Sequence, residues 1–410
     1  MTTPLKTNPP IEEDLPQKES TWGIFLVFLR LGLTSFGGPI AHLGYFRNEF
    51  VNRRHWLSER SYADLVALCQ FLPGPASSQV GMALGLLRHG YSGAFAAWAG
   101  FTLPSAIALI LFALGISNRA TAVPAGALHG FKVVAVAVVA QAVWGMAKNL
   151  CTDTLRVTIM AVAACIALLI PSASGQISII TAAGVTGLLL FRPEPARNHD
   201  PLPVTISYRA GVLWLALFFC LLAGLPVLAA LLPSQAVADV NVFFRSGALV
   251  FGGGHVVLPL LQAAVVSPGW VGNDAFLAGY GAAQAVPGPL FAFAAFLGTS
   301  MNITPSGWIG GILCLLAIFA PSFLLVTGTL PFWEQLRRNV HTQAALAGIN
   351  AAVVGLLLAA LYHPVWTSAV RTPSDFGVVI IAFVALMYWK LPPWLVVAGC
   401  GAAGWLISPG

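Results

Sequence analysis

The chain has 410 residues, 58% of them hydrophobic and only 8% charged, with a mean hydropathy of +0.83. An average soluble domain carries roughly 25% charged residues, so a soluble fold is excluded. The net charge of +6 fits the Lys and Arg excess on the cytoplasmic side of a membrane protein, not nucleic-acid binding.

Residues 1–21 hold Glu12, Glu13, Asp14 and Glu19 among several prolines and predict a disordered cytoplasmic tail. No basic region precedes a short apolar one, so no cleaved signal peptide is expected. The first apolar stretch, 22–50, is interrupted at Phe36-Gly37-Gly38-Pro39, and the second, 62–88, at Pro73-Gly74-Pro75. Unbroken helices are predicted over 92–117, 125–148, 156–171 and 176–191. Residues 192–208 are polar and proline-rich, marking a cytoplasmic linker, and 209–232 predicts one further helix. Helices at 305–328, 344–362, 375–389 and 393–408 close the chain. Six cysteines are scattered, none in a Cys-x-x-Cys pair, and are expected to pack rather than to form disulfides or bind metal.

Two stretches occur twice. Gln70-Phe71-Leu72-Pro73-Gly74-Pro75 returns as Gln284-Ala285-Val286-Pro287-Gly288-Pro289, 214 positions later. Phe28, Arg30, Gly32, Phe36, Gly37 and Gly38 return as Phe243, Arg245, Gly247, Phe251, Gly252 and Gly253, 215 later. Pro104-Ser105 recurs as Pro321-Ser322, and Leu128 and Gly130 recur as Leu346 and Gly348. The kept order makes this an internal duplication, with repeats at 22–191 and 233–410. Six apolar segments per repeat plus the helix at 209–232 place the second repeat upside down, an inverted-topology repeat. The predicted class is therefore an all-α polytopic membrane protein with broken or re-entrant helices. Arg53, Arg54 and Arg60 between the first two segments discriminate two counts. Thirteen full spans put this basic loop outside. Nine spans plus four re-entrant hairpins put it inside, as the positive-inside rule favours. The N-terminus is then cytoplasmic and the C-terminus periplasmic.

Pro-Gly-Pro cannot continue a helix, and a break at membrane depth is tolerated only inside protein or beside a wet cavity. The paired breaks thus predict the floor of a substrate path. Pro39 and Pro75 are expected at the first position of new half-helices, whose free N–H groups favour anions. Ser77, Ser78 and Gln79 add polar donors after the first break, whereas Leu290, Phe291 and Ala292 follow the second. The alternative for the serines is capping alone. Arg30 and Arg245, each six residues before a Phe-Gly-Gly break, are expected to face a cavity or partner. No acidic residue is counted in either stretch, which leaves a substrate anion as counter-charge. The candidate substrate-binding set is Arg30, Gly37, Gly38, Gln70, Pro73, Gly74, Pro75, Ser77, Ser78, Arg245, Gly252, Gly253, Gln284, Pro287, Gly288 and Pro289. The glycines equally serve close helix packing. Lys132 is expected to snorkel. His42, His129 and His255 are expected as hydrogen-bonded helix residues, and Arg47, Glu49, Glu59 and Asp64 as a solvated loop face. No phosphate-binding loop, His-Glu-x-x-His or Gly-x-Ser-x-Gly is present, so no cofactor, metal or in-chain ATP drive is expected.

The paired Phe-Gly-Gly and Pro-Gly-Pro signatures, in a duplicated membrane chain of this length, resemble the chromate ion transporter family in its long, two-domain form. The resemblance covers about residues 22–408. Arg30, Gly37, Gly38, Gln70, Pro73, Gly74 and Pro75 fall on the family's first-half motifs; Gly254, where the first repeat has Pro39, departs from them. It implies a bacterial inner-membrane protein with antiparallel halves that exports chromate and confers chromate resistance. The implied partners are chromate or a sulfate-like oxyanion and the lipid bilayer, with no nucleic acid; a homodimer stays open. The rival readings are a transporter of sulfate or another oxyanion, and a polytopic membrane enzyme.

Overall fold

The computed structural model describes residues 19–36, 38–117, 125–170, 172–192, 206–251 and 254–407. The expectations for the N-terminal tail and for most of the linker fall outside these residues. All regular structure among them is helical.

Helix α1 (Thr21–Thr34) starts where the Ser20 hydroxyl accepts from Gly23 N at 3.0 Å and stops before the Phe36-Gly37 break. Helix α2 (Gly38–Arg47) follows and runs into a π-turn over Asn48–Arg53. Helix α3 (Glu59–Phe71) is capped by Ser58, which accepts from Ser61 N. Helix α4 (Ala76–Ser117) is two helices joined at His89 and Gly90, where the backbone leaves helical geometry. Helices α5 (Ala125–Leu150), α6 (Thr154–Leu169) and α7 (Ala173–Leu190) complete the first repeat. Helix α8 (Tyr208–Leu231) lies between the repeats.

The second repeat opens with α9 (Gln235–Ala248) and α10 (Val257–Leu261), which continues as a π-turn over Gln262–Val266. It continues through α11 (Asn273–Ala285), α12 (Phe293–Thr299) and α13 (Gly307–Thr329). Helices α14 (Trp333–Arg338), α15 (Val340–Ala360), α16 (Thr367–Ala369), α17 (Pro373–Met387) and α18 (Pro393–Ile407) end the described chain. Among the described residues, five helical stretches are long and apolar enough to cross a membrane: Ala76–Ile116, Gly126–Leu150, Tyr208–Leu231, Gly307–Phe332 and Val340–Ala369. Shorter apolar helices pack around them.

Ion pairs show which segments share an end of the bundle. Arg54 pairs with Glu49 at 2.7 Å and with Glu19, just before α1, at 3.1 Å. Thr21 lies 3.5 Å from Ser92, just past the α4 kink, and the Arg88 guanidinium sits over the Trp56 ring. The start of α1, the α2–α3 loop and the α4 kink therefore lie together, here called the near end. So α1–α2 dips in and returns, and so does α3 with the first arm of α4. The second arm, Tyr91 to Ser117, then crosses roughly 40 Å. At the opposite, far end, Asn302 N donates to Trp270 O at 2.9 Å, Lys132 pairs with Asp274 at 3.0 Å and His129 with Asp375 at 2.7 Å. The α9–α10 and α11–α12 hairpins open to that end. The re-entrant reading of the broken segments is the one this geometry follows.

The repeats exchange a helix. From the first repeat, α5 packs on α17 and α18 of the second; from the second, α15 packs on α6 and α7. Glycine makes the approach: a Cβ on Gly130 would strike Cys400 O, and one on Gly348 would strike Ala183 O. Each repeat thus completes the other's bundle, and neither buries its apolar faces alone. Helix α8 has no twin. It rests on α9 and α13, with Trp214 Nε1 donating to the Tyr91 hydroxyl at 3.0 Å, and turns Leu213, Phe219 and Leu231 outward.

Candidate functional site

The four breaks meet pairwise at the centre of the bundle. After α3, Pro73 has no N–H to give, and Gly74 takes a φ of +121°, open to glycine at little strain. Its N–H donates to Val250 O, at the end of α9, at 2.7 Å. The mirror bond joins the other pair: Gly288, at φ +106°, donates to Ser35 O, at the end of α1, at 3.0 Å. A donor freed by one repeat's Pro-Gly-Pro is thus satisfied by a carbonyl freed at the other repeat's Phe-Gly-Gly break. This reciprocal bond answers how broken backbone survives in apolar surroundings.

Side chains gather around the two crossings. Gln79 Nε2 donates to Pro73 O at 2.7 Å and closes the first turn. A Cβ on Gly74 would lie 2.6 Å from Ser322 Oγ; one on Gly288 would lie 2.9 Å from Ser105 Oγ. The recurring Pro-Ser pairs of α4 and α13 therefore back the crossings, each serine behind the other repeat's glycine. His42 Nδ1 lies 3.4 Å from Ser77 Oγ, and its ring meets Phe101 edge-on. Ser35 Oγ, Ser78 Oγ, Thr102 Oγ1, Ser322 Oγ, Gln79 Oε1, Gln284 Nε2 and His42 Nε2 are all buried without a hydrogen-bond partner among the described residues. Native proteins rarely leave so many buried polar atoms unpaired. The set is rich in hydroxyl and amide groups and holds no carboxylate, which is the chemistry that suits an oxyanion.

The predicted residues distribute unevenly. Gly74, Pro75, Ser77, Ser78 and Pro289 are buried, and Pro73, Gln284, Pro287 and Gly288 half-buried, at the crossings. Gly38 is half-buried with φ +80° at the start of α2. Gln70 is exposed on the last turn of α3. Arg30 is also exposed, on the stripe of α1 that carries Trp22, Leu26 and Leu33, while Arg245 is half-buried. Gly37, Gly252 and Gly253 lie outside the described residues. Ser35, Thr102, Ser105 and Ser322 were not among the candidates, although the recurrence of Pro-Ser was the signal that pointed to two of them.

Several expectations are corrected. Lys132 has the buried stem of a snorkelling lysine, but its ammonium ends on the exposed Asp274 at 3.0 Å. Glu49 and Asp64 are buried rather than solvated, so only Arg47 and Glu59 form an exposed pair, at 2.7 Å. Burial alone would push the Glu49 carboxyl up, but hydrogen bonds from Arg54 and Arg53 outweigh it and hold the group below its ordinary range. Pro75 stands one place earlier than expected; its carbonyl accepts from Gln79 N and so occupies the cap. Neither Ser77 nor Ser78 caps a helix. Helix α9 begins early enough to put Asp239 on the same helix as Arg245.

A cavity of about 510 Å³ lies towards the far end, away from the crossings. Its wall is mostly apolar, with Gln176, Gln262, Asn273, Ser267, Ser368 and His363 adding polar groups. There Gln262 Nε2 donates to Asn273 Oδ1 at 3.2 Å, at the places that Arg47 and Glu59 hold in the first repeat.

The chromate transporter family model matches the chain twice, over residues 22–188 and 239–405. The chain belongs to the chromate transporter family. It is 30% identical to a chromate transport protein of Pseudomonas aeruginosa over 99% of this chain and 97% of that one. A probable chromate transport protein of Synechococcus elongatus is 29% identical over 89% and 88% of the two chains. A chromate transport protein of Cupriavidus metallidurans is 25% identical over 94% and 93%. No solved structure matches. For a family member, the duplicated motifs mark a transporter and not an enzyme.

Proposed function

We propose that this protein is a secondary exporter that carries chromate out of the cytoplasm across a bacterial inner membrane and so confers chromate resistance. The repeats at 22–191 and 233–410 form the carrier, with 209–232 as an added helix. The observation that carries the reading is the reciprocal crossing, Gly74 to Val250 and Gly288 to Ser35, ringed by unpaired hydroxyls and amides. Such a ring offers donors to a tetrahedral dianion without a carboxylate to repel it. Arg30 and Arg245, each just before a break, supply positive charge on the approach.

Orientation rests on charge. The near end holds Arg53, Arg54, Arg60, Arg88, Lys148, Arg156, Arg192, Arg209 and Lys390; at the far end the described chain places Lys132 and Arg371. The near end is therefore cytoplasmic, with the C-terminus on the opposite side. The far-end cavity then serves as an outward vestibule whose neutral amides let the anion leave. With the cell interior negative, expelling a dianion gains about 4.6 kcal/mol per 100 mV, so no ATP is needed.

Everted vesicles containing the protein should accumulate labelled chromate; uptake equal to that of vesicles without it ends the reading. Sulfate shares the charge and shape of chromate, so competition by sulfate, molybdate and phosphate in the same vesicles ranks the substrates.

A further inference from the structure

Helix α9 carries one carboxylate, Asp239, which has no exposed surface. Its Oδ1 accepts from Gln235 Nε2 at 2.8 Å, while Oδ2 is buried with no partner among the described residues. α9 packs against α8, α10 and α13, and the groups they bring offer Asp239 no counter-charge. On α8 these are Tyr208 and Arg209, at the near end, and Cys220. Before α10 stands His255, bonded to the Tyr280 hydroxyl at 2.8 Å. On α13 there is the uncharged Cys314. On α9 itself Arg245 lies nearly two turns further on, towards the crossing.

Packing does not demand this carboxylate. The repeat-related position in α1 is Ile24, also without exposed surface, so hydrocarbon fills the same place in the twin. An ionised carboxylate with no cation beside it is costly at this depth. Gln235, half-buried in the first turn of α9, links Oδ1 towards the exposed α8–α9 turn at the far end.

We propose that Asp239 is a proton-binding site that couples oxyanion export to the inward movement of a proton. A far-side hydronium ion gives its proton to Oδ2, forming one O–H bond and leaving water. When the repeats change places, the acid returns the proton to near-side water, so atoms and charge balance. The inference rests on the transport reading above and adds the coupling ion.

Proteoliposomes of the purified full chain, with a trapped pH dye and the membrane potential clamped by potassium and valinomycin, test it with chromate as the probe. An interior made acid by one pH unit should raise the wild-type chromate accumulation ratio about tenfold for each proton carried, and chromate entry should make the interior more alkaline. Asp239→Asn should lose both responses while keeping chromate–chromate exchange, and Asp239→Glu should regain them. Net chromate entry into wild-type vesicles without proton movement, or an Asp239→Asn protein driven by the gradient as wild type is, overturns the proposal. Should Asp239→Asn fail to fold, the wild-type dye trace decides alone. Wild-type protein that exchanges no chromate at all instead defeats the transport reading, and the proposal with it.

Discussion

At Gly74 the crossing is followed by Ser77, Ser78 and Gln79, with His42 alongside; at Gly288 the same crossing is followed by Leu290, Phe291 and Ala292. The backbone bond is nearly the same in both, 2.7 and 3.0 Å. Duplication thus fixed the backbone architecture twice, because either crossing alone would leave the other repeat's broken ends unpaired. Side chains were free to diverge around it. The first crossing gathers Ser77, Ser78, Gln79 and Ser322, while the second has Ser35, Thr102, Ser105 and Gln284 beside it but an apolar segment after its break. The bundle ends diverge in the same way: Arg47 and Glu59 close the near end as an ion pair, and Gln262 and Asn273 line a cavity at the far end.

A methyl group added at either crossing should have the largest effect. Gly74→Ala meets both a positive φ and the Ser322 and Gln79 side chains. Positive φ alone costs roughly 1–3 kcal/mol, and the collision adds to it. Chromate uptake by everted vesicles should vanish and the thermal midpoint in detergent should fall. Gly288→Ala has more room, 2.9 Å to Ser105 Oγ, and should lose less of both. Equal tolerance at the two positions would contradict the crossing.

Arg30→Ala should abolish chromate resistance at unchanged protein level, whereas Arg371→Ala at the far end should not; loss in both, or in neither, counts against Arg30. Arg245→Ala sharpens the contrast between halves and should reduce transport less than Arg30→Ala. A smaller effect is expected at Lys132→Met. Its partner Asp274 is 70% exposed, so the pair contributes about 0–1 kcal/mol, and a midpoint shift of a degree or two with normal transport is the outcome to look for.

The smallest effect concerns pH. The Glu49 carboxyl is held below its unfolded value of 4.5, so its stabilisation is complete above that pH and disappears as pH falls through the lower, folded value. Midpoints of wild type and Glu49→Gln should differ near neutrality and converge in acid below pH 4.5.

Much of the architecture was legible in the sequence because helix breakers in apolar runs have few physical solutions. The duplicated prolines and glycines gave the repeat, and the arginines at 53, 54 and 60 favoured hairpins over spans. What stayed hidden was pairing across the repeats. Nothing local in Gly74 names Val250 as its acceptor, and nothing in α5 says that it packs on α18. The acceptor of Lys132 stayed hidden for the same reason, since it lies 142 positions away. Ser35 and Ser322 gain meaning only when the other repeat's glycine is laid against them.

The claim that the crossings hold the substrate is tested most directly by ligand-induced thermal stabilisation of the purified protein. A ligand at 100 times its dissociation constant stabilises by about 2.7 kcal/mol. Chromate should raise the midpoint of wild type and of Arg371→Ala alike, and should raise that of the Ser77→Ala, Ser78→Ala double variant far less. A double variant that chromate stabilises as fully as wild type would place the substrate somewhere else.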